Sequence, residues 1–240
     1  AKDISKKVTI METPFSNEIT EDSIIYNNKL RNTKYFLFYG SCSADKGFET
    51  IGDMLTMFFE ENADMKFVCA GWDIQLENGS AVKKMQKKLG KNADRMLYLG
   101  LIKQEQLYSI IRHAEFVLIP SLIDNLPNSC LEALSLDKIV IGTYHTSLEQ
   151  MICHGKNGFL SKPGDANSLL EAVRRVCVLT EEEKKQIIIN NRKRMRKYSP
   201  EIAVTKLERY YNWICNEKNR YILLKNKNFS GKNRLGEDMK

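Results

Sequence analysis

The sequence predicts an α/β fold: a doubly wound parallel sheet of about six strands with extra C-terminal helices. Three observations predict it: short apolar runs recur without polar interruption, an amphipathic helical stretch follows almost every one, and several runs end in glycine. Continuous apolar strands imply a sheet covered on both faces, and strand-then-helix alternation implies parallel crossovers. YFLFYG (35–40) leads into a helical pattern reaching Phe59, and MKFVCAG (65–71) into one over Ala81–Leu89. RMLYLG (95–100) precedes a helix over Gln104–His113, and EFVLIP (115–120) precedes one beginning within Leu126–Ser129. KIVIGT (138–143) and NGFL (157–160) complete the strands. The pattern is Rossmann-like, and glycines at 40, 71 and 100 fall at the carboxyl edge of the sheet, where ligands approach backbone.

Beyond Gly164 the periodicity predicts helices over Ala166–Leu179, Glu181–Lys197 and Pro200 to about Glu217. The expected organisation is a connector or edge extension (1–34), a Rossmann-like α/β domain (35–179), helices packed on or beside it (180–225) and a loose basic tail (226–240). With 240 residues, 42% hydrophobic and 28% charged, the chain fits one main globular domain. No run approaches the roughly 18 apolar residues of a membrane span, and no leader pattern opens the sequence, so the expected compartment is the cytoplasm. Six widely spaced cysteines lack Cys-x-x-Cys pairing and read as reduced thiols. Residues 180–240 hold 16 Lys/Arg against 8 Asp/Glu, so the basic surplus belongs to the C-terminal quarter. It reads first as a solvated face, then as a peripheral contact with an anionic membrane at its inner face. Nucleic acid is not an expected partner, because aromatic residues are not interleaved as stacking platforms.

The chemistry concentrates in PSLIDNLPNSCLEAL (120–134). Asn125, Asn128 and Ser129 are candidate helix N-caps and Pro127 suits a first turn. The unpaired N–H groups of that helix start would face the sheet's carboxyl edge and suit a phosphate. Glu132 lies one turn further in, flanked by Cys130, Leu131, Ala133 and Leu134, and a carboxylate there needs a partner. The bland partner is a nearby Lys or Arg; the functional one is a vicinal diol such as a ribose. YGSCSADKG (39–47) supplies the second candidate, with Lys46 before a helix and no Walker order. His113, His145 and His154 lack metal-ligand spacing; His113 and His154 are expected near helix ends, and His145 is the best placed. An Asp-x-Asp clamp, a serine elbow and a Gly-x-Gly-x-x-Gly turn are all missing from the sequence, and Trp72 and Trp213 are expected to be packing residues.

In this order, the Lys46-Gly47 loop, FVLIPS leading through Asp124 to Glu132-Ala133, KIVIGT, and LEQMICHGKNGFLSKPGDANSLLEAV (148–173) resemble the donor-binding half of GT-B glycosyltransferases of the retaining family 4 type (glycosyl transferases group 1). The resemblance spans roughly Tyr35–Val178. It implies that Glu132 holds the ribose hydroxyls, Asp124 hydrogen-bonds the donor sugar and Lys46 neutralises the diphosphate, these three being the catalytic set. It places Asn125, Leu126, Pro127, Asn128 and Ser129, with Leu131, along the sugar and phosphate region, and Gly100, Leu101 and Ile102 near the base. His145 and Ser41 join the substrate-binding set. A nucleotide sugar, UDP-type favoured, is the implied substrate, with no cofactor and no metal.

Three positions depart from the family pattern. Ser41 stands where the family often has Arg, Asp124 is one methylene shorter than the usual Glu, and Asp137 and Ile139 replace Gly and Pro before the fifth strand. Asp at 137 tolerates left-handed geometry better than most residues. The resemblance also implies an acceptor-binding domain preceding this one, which 34 residues cannot supply, so the chain is expected to bind donor and transfer poorly. Helix dipole and Lys46 would stabilise the departing diphosphate. The competing readings are a glycosidase-like Asp124/Glu132 pair, a noncatalytic α/β interaction or membrane-surface module, and a nucleotide-sugar epimerase-like enzyme.

Overall fold

The computed structural model describes residues 14–15, 23–61, 64–77, 79–125 and 127–232, with side chains to residue 216. The expectation for Leu126 lies outside the described residues, as does the tail from residue 233. The chain divides into two compact units, residues 17–195 and residues 1–16 with 196–240.

In the larger unit the order is α1 (Ile24–Lys29), β1 (Tyr35–Tyr39), α2 (Phe48–Glu61), β2 (Lys66–Ala70), β3 (Gln75–Leu76), β4 (Gly79–Ser80) and α3 (Ala81–Leu89). There follow β5 (Met96–Tyr98), α4 (Gln104–His113), β6 (Val117–Leu118), α5 (Asn128–Ser135), β7 (Val140–Thr143), β8 (Phe159–Ser161), α6 (Ala166–Cys177) and α7 (Glu181–Met195). The smaller unit carries α8 (Pro200–Lys232). Six strands form one parallel sheet in the order β5-β2-β1-β6-β7-β8, and β3 and β4 pair as a small antiparallel hairpin. Counted along the chain, the large sheet runs 3-2-1-4-5-6, so its connections reverse direction between β1 and β6. Ligands bind at that reversal, outside the carboxyl ends of the strands.

The central strands of the parallel sheet are largely apolar because both faces are covered: every residue of β1 and of β7 is buried. On one face Phe36 stacks on Phe116 at 5.0 Å and meets Phe58 of α2 edge-on at 5.4 Å. Phe48, Ile51, Leu55, Phe58 and Phe59 of α2 are all buried, the helical spacing of a core-facing stripe. Each such side chain contributes about 1.5–3 kcal/mol on burial. Helix starts are capped locally: Ser80 accepts from Lys83 N–H, Asp165 from Ser168 N–H, and Thr180 and Glu183 form a reciprocal capping box.

Four features depart from the sequence reading. Within the stretch read as a connector, Ser23 caps α1, whose buried Tyr26 stacks on His113 of α4 at 3.9 Å. Helix α8 continues to Lys232, past residue 225 where a loose tail is expected. His154 is not at a helix end; it bridges to Gly158, and its Nδ1 accepts the Leu160 N–H at 3.1 Å. Trp72 and Trp213 are 59% and 39% exposed, so neither is a core packing residue.

Candidate functional site

The reversal between β1 and β6 opens onto a cavity of about 300 Å³. Its wall joins Tyr39 and Gly40 at the end of β1, Lys46, Asp124, and Pro127, Asn128, Ser129 and Glu132 around the start of α5. Six residues singled out in the sequence therefore converge here: Lys46, Asp124, Pro127, Asn128, Ser129 and Glu132. Ser41, Gly100, Leu101, Ile102, Asn125, Leu131 and His145 do not line this wall among the described residues. Leu131 is fully buried in the core, Leu101 is 68% exposed, and His145 is exposed with φ of 60°.

Two loops meet to build the polar rim. Leu122 N–H donates to the Asp45 carbonyl at 2.8 Å, tying the loop after β6 to the loop after β1. Gly47 seals the same junction: its φ is +74°, and a Cβ there would stand 2.1 Å from the Pro120 carbonyl oxygen. Only a residue without a side chain fits. This register brings Lys46 Nζ to 2.7 Å from Asp124 Oδ2, with the Asp124 side chain only 10% exposed. Lys46 thus supplies the positive charge that a buried Asp124 requires, and its ammonium keeps two further donors for a ligand.

Helix α5 begins at Asn128, inside the expected interval, but Pro127 occupies the N-cap position instead of the first turn. Pro127 offers no side-chain acceptor and no side-chain cap hydrogen bond is made. The Cys130 N–H goes to the Pro127 carbonyl at 2.9 Å, and the N–H groups of Asn128 and Ser129, both at the cavity wall, receive no side-chain cap. The Tyr39 hydroxyl donates to the Ser129 carbonyl at 2.5 Å and pins this helix start to the end of β1.

Glu132 is half-buried, and its partner is not a lysine or arginine. Gln104 Nε2, at the start of α4, donates to Glu132 Oε1 at 2.9 Å and to the Tyr108 hydroxyl at 2.7 Å. Burial raises the Glu132 carboxyl above its ordinary value, and hydrogen bonding with Gln104 and Tyr39 offsets part of that rise. Burial and the neighbouring Glu132 charge push the Tyr39 phenol well above its usual range. The pocket therefore holds a carboxylate kept short of donors, beside uncapped helix N–H groups and a lysine. Such a surface presents acceptors for hydroxyls and positive charge for an anion.

Sequence reading does not single out Gln104, nor Tyr39 and Ser121, which line the cavity and lie within the two quoted motifs. Tyr39 is hidden in an apolar run, though an aromatic hydroxyl at a strand's carboxyl end is the type of group that seeks a polar partner. Gln104 gives no sequence signal, since a glutamine in a first helical turn is ordinary. Another cavity, of about 350 Å³, lies between α2 and α3 over Phe48, Ile74, Leu76 and Met85. Its rim charges are already paired, Lys84 with Glu49 and Lys88 with Asp53, so it offers no convergent unpaired chemistry.

A parallel sheet in this order, with acceptors and a helix start at its switch point, defines a Rossmann-like α/β domain with a crevice at the reversal. Residues 20–195 match the family Glycosyl transferases group 1, and the chain belongs to that family. It is 25% identical over 189 residues to an uncharacterized glycosyltransferase of Methanocaldococcus jannaschii, covering 78% of this chain and 50% of that protein. Half or less of the length of each curated relative it matches is spanned by this chain. Among solved structures, the C-terminal domain of a Glycosyl Transferase Group 1 family protein (LpcC) from Francisella tularensis superposes with a TM-score of 0.63. That pair shares 19% identity and covers 78% of this chain and 96% of that domain. Anabaena Alr3699/HepE, solved in complex with UDP-glucose, superposes with a TM-score of 0.65 at 16% identity, over 80% of this chain and 51% of that one.

Proposed function

We propose that this chain is the donor-binding half of a retaining, metal-independent GT-B glycosyltransferase of the family 4 type, which takes a hexose-type sugar from a nucleotide-sugar donor. The observation that carries the reading is the convergence of Lys46, Asp124, Glu132 and the uncapped start of α5 on one cavity at the sheet's switch point. Glu132 would accept both hydroxyls of the ribose. The α5 N–H groups and Lys46 would take up the charge that develops on the departing diphosphate as the sugar gains oxocarbenium character. Asp124, held by Lys46, would accept from a sugar hydroxyl through its other oxygen. A UDP donor is the favoured base, in line with the UDP-glucose complex of the Anabaena relative. Positive charge from Lys46 and the helix start substitutes for a metal in this reading. The acceptor site would lie outside this chain, which spans half or less of its curated relatives.

Calorimetry of the full chain against UDP, GDP, ADP and their hexose conjugates tests the assignment. One nucleotide series should bind, and Glu132→Ala should weaken it about tenfold or more, the loss of two hydrogen bonds to a charged acceptor. Binding of none, or equal binding by the variant, overturns it.

A second contact is favoured by α8. Val204, Tyr211 and Ile214 are exposed there, in the quarter of the sequence that carries the basic surplus. No helix among the described residues is long and apolar enough to cross a membrane. The contact would be peripheral, on an anionic lipid surface at the cytoplasmic face.

A further inference from the structure

We infer that Gln104 is a positioning residue of this site: it fixes the Glu132 carboxylate for two adjacent hydroxyls and so sets a preference for ribonucleotides over deoxyribonucleotides. The inference rests on the reading of Glu132 as the ribose acceptor.

Glu132 sits on α5 with apolar neighbours, Leu131, Ala133 and Leu134, fully or almost fully buried on either side. A carboxylate there has torsional freedom at its end and a strong need for donors. The Gln104 amide meets that need with its two N–H groups in a fixed plane. One goes to Glu132 Oε1 at 2.9 Å, and the other to the hydroxyl of Tyr108 at 2.7 Å. Tyr108 is only 7% exposed, so it anchors the amide from inside the fold. The Gln104 bond to Oε1 orients the group, and even with the Tyr39 hydroxyl beside it the carboxylate keeps lone pairs for a ligand. Two hydroxyls on adjacent carbons can then be accepted together, whereas a 2′-deoxy sugar leaves one acceptor site without a donor.

Chain placement adds a second reason. Gln104 is the first residue of α4, which follows the loop of Gly100, Leu101 and Ile102 at the end of β5. A nucleotide whose ribose lies on Glu132 and whose base lies toward that loop would pass beside Gln104. Other groups facing Glu132 are Tyr39 from β1 and Tyr108 from α4, with Lys46 and Asp124 lining the same cavity.

The test is calorimetry of the full chain with UDP, GDP and ADP, each against its 2′-deoxy counterpart, for wild type, Gln104→Ala, Gln104→Lys and Glu132→Ala. Wild type should prefer the ribo form about tenfold, the value of one charge-assisted hydrogen bond. Gln104→Ala should reduce that preference to about threefold or less by weakening the ribo form, with deoxy affinity held within a similar factor. Gln104→Lys restores an N–H donor and should recover most of the preference. A merely structural role would weaken both forms equally and leave their ratio untouched, which overturns the inference. So does a Gln104→Ala protein that keeps the ribo preference while Glu132→Ala loses it, and in that case the donor-site reading survives. Failure of wild type to bind any of the nucleotides removes both.

Discussion

Glu132 raised a question that the sequence could state and not answer: what partners a carboxylate among apolar helix neighbours. Gln104 is the answer within the chain, and it is a neutral donor where a Lys or Arg is the ordinary solution. The carboxylate is consequently held at a cost. Burial raises its folded-state pKa, so the native protein binds that proton more tightly than the unfolded chain. The associated stability is present below the ordinary carboxylate range and is lost as pH rises through the folded-state value. At pH 7 the unliganded protein therefore carries a destabilising charge, and Glu132→Gln removes it. Differential scanning should show the variant melting about 2–4 °C higher at pH 7, equivalent to ~1 kcal/mol. At pH 4 the gain should shrink, and nucleotide-induced stabilisation should vanish at both. An unchanged or lower melting temperature at pH 7 would show that Gln104 and Tyr39 fully compensate the burial.

Asp137 makes a related point at the same scale. The sequence reading notes that Asp at 137, where the family often has glycine, tolerates left-handed geometry, and Asp137 has φ of 58°. Its N–H and that of Lys138 close α5 onto the carbonyls of Leu134 and Ala133, the paired bonds of a Schellman cap. The sequence could not reveal how the strain is offset: Arg192 of α7 grips both carboxylate oxygens, at 2.9 and 2.6 Å. Asp137→Gly should be near neutral, since relief of backbone strain offsets the loss of an exposed, solvent-screened ion pair. Asp137→Val loses the pair and keeps the strain, and should cost ~2 kcal/mol in urea denaturation.

At the scale of elements, the six sheet strands were legible because each is an unbroken apolar run, and α3 and α4 because their periodicity is clean. The elements that escaped are the ones whose formation depends on neighbours. Helix α1 is short and stands on one buried residue, Tyr26, whose partner His113 lies far along the chain. The β3–β4 hairpin pairs two residues with two and carries no alternation to read. Helix α8 runs on through Asn, Ser and Gly because extending a helix costs far less than starting one. Gly47 shows where an element junction is strictly specified. Gly47→Ala places a methyl against the Pro120 backbone in left-handed geometry, so urea denaturation should report a loss of ~2–4 kcal/mol. Because the same turn carries Lys46, nucleotide affinity should fall with it. A variant of wild-type stability would mean that the loops after β1 and β6 separate more readily than their shared backbone bond implies.

At the scale of the whole molecule, the location of the site was the most legible part. A parallel sheet that reverses at β1 and β6 dictates a crevice, and the two motifs singled out for chemistry in the sequence are the loops that follow those strands. The side-chain partners were less legible, because Tyr39 and Gln104 become site residues only through contacts that β1 and α4 make with α5. The chain's other whole-molecule property is its charge asymmetry, which the sequence locates beyond residue 180, outside the motifs of the donor site. If the lipid-surface contact proposed for α8 is real, the two functions should separate. Sedimentation with vesicles containing anionic phospholipid should recover the wild-type chain at low salt, and raising salt should release it as the charges are screened. A full-length double variant, Arg209→Glu with Ile214→Asp, removes one exposed positive charge and one exposed apolar group of α8. It should lose most vesicle binding, because each basic residue near such a surface contributes about 1 kcal/mol. Its affinity for nucleotide should stay at the wild-type value, since every residue of the proposed donor cavity lies between Phe38 and Glu132. Vesicle binding that survives the double variant, or that persists at high salt on neutral lipid, would reduce the basic quarter to a solvated surface.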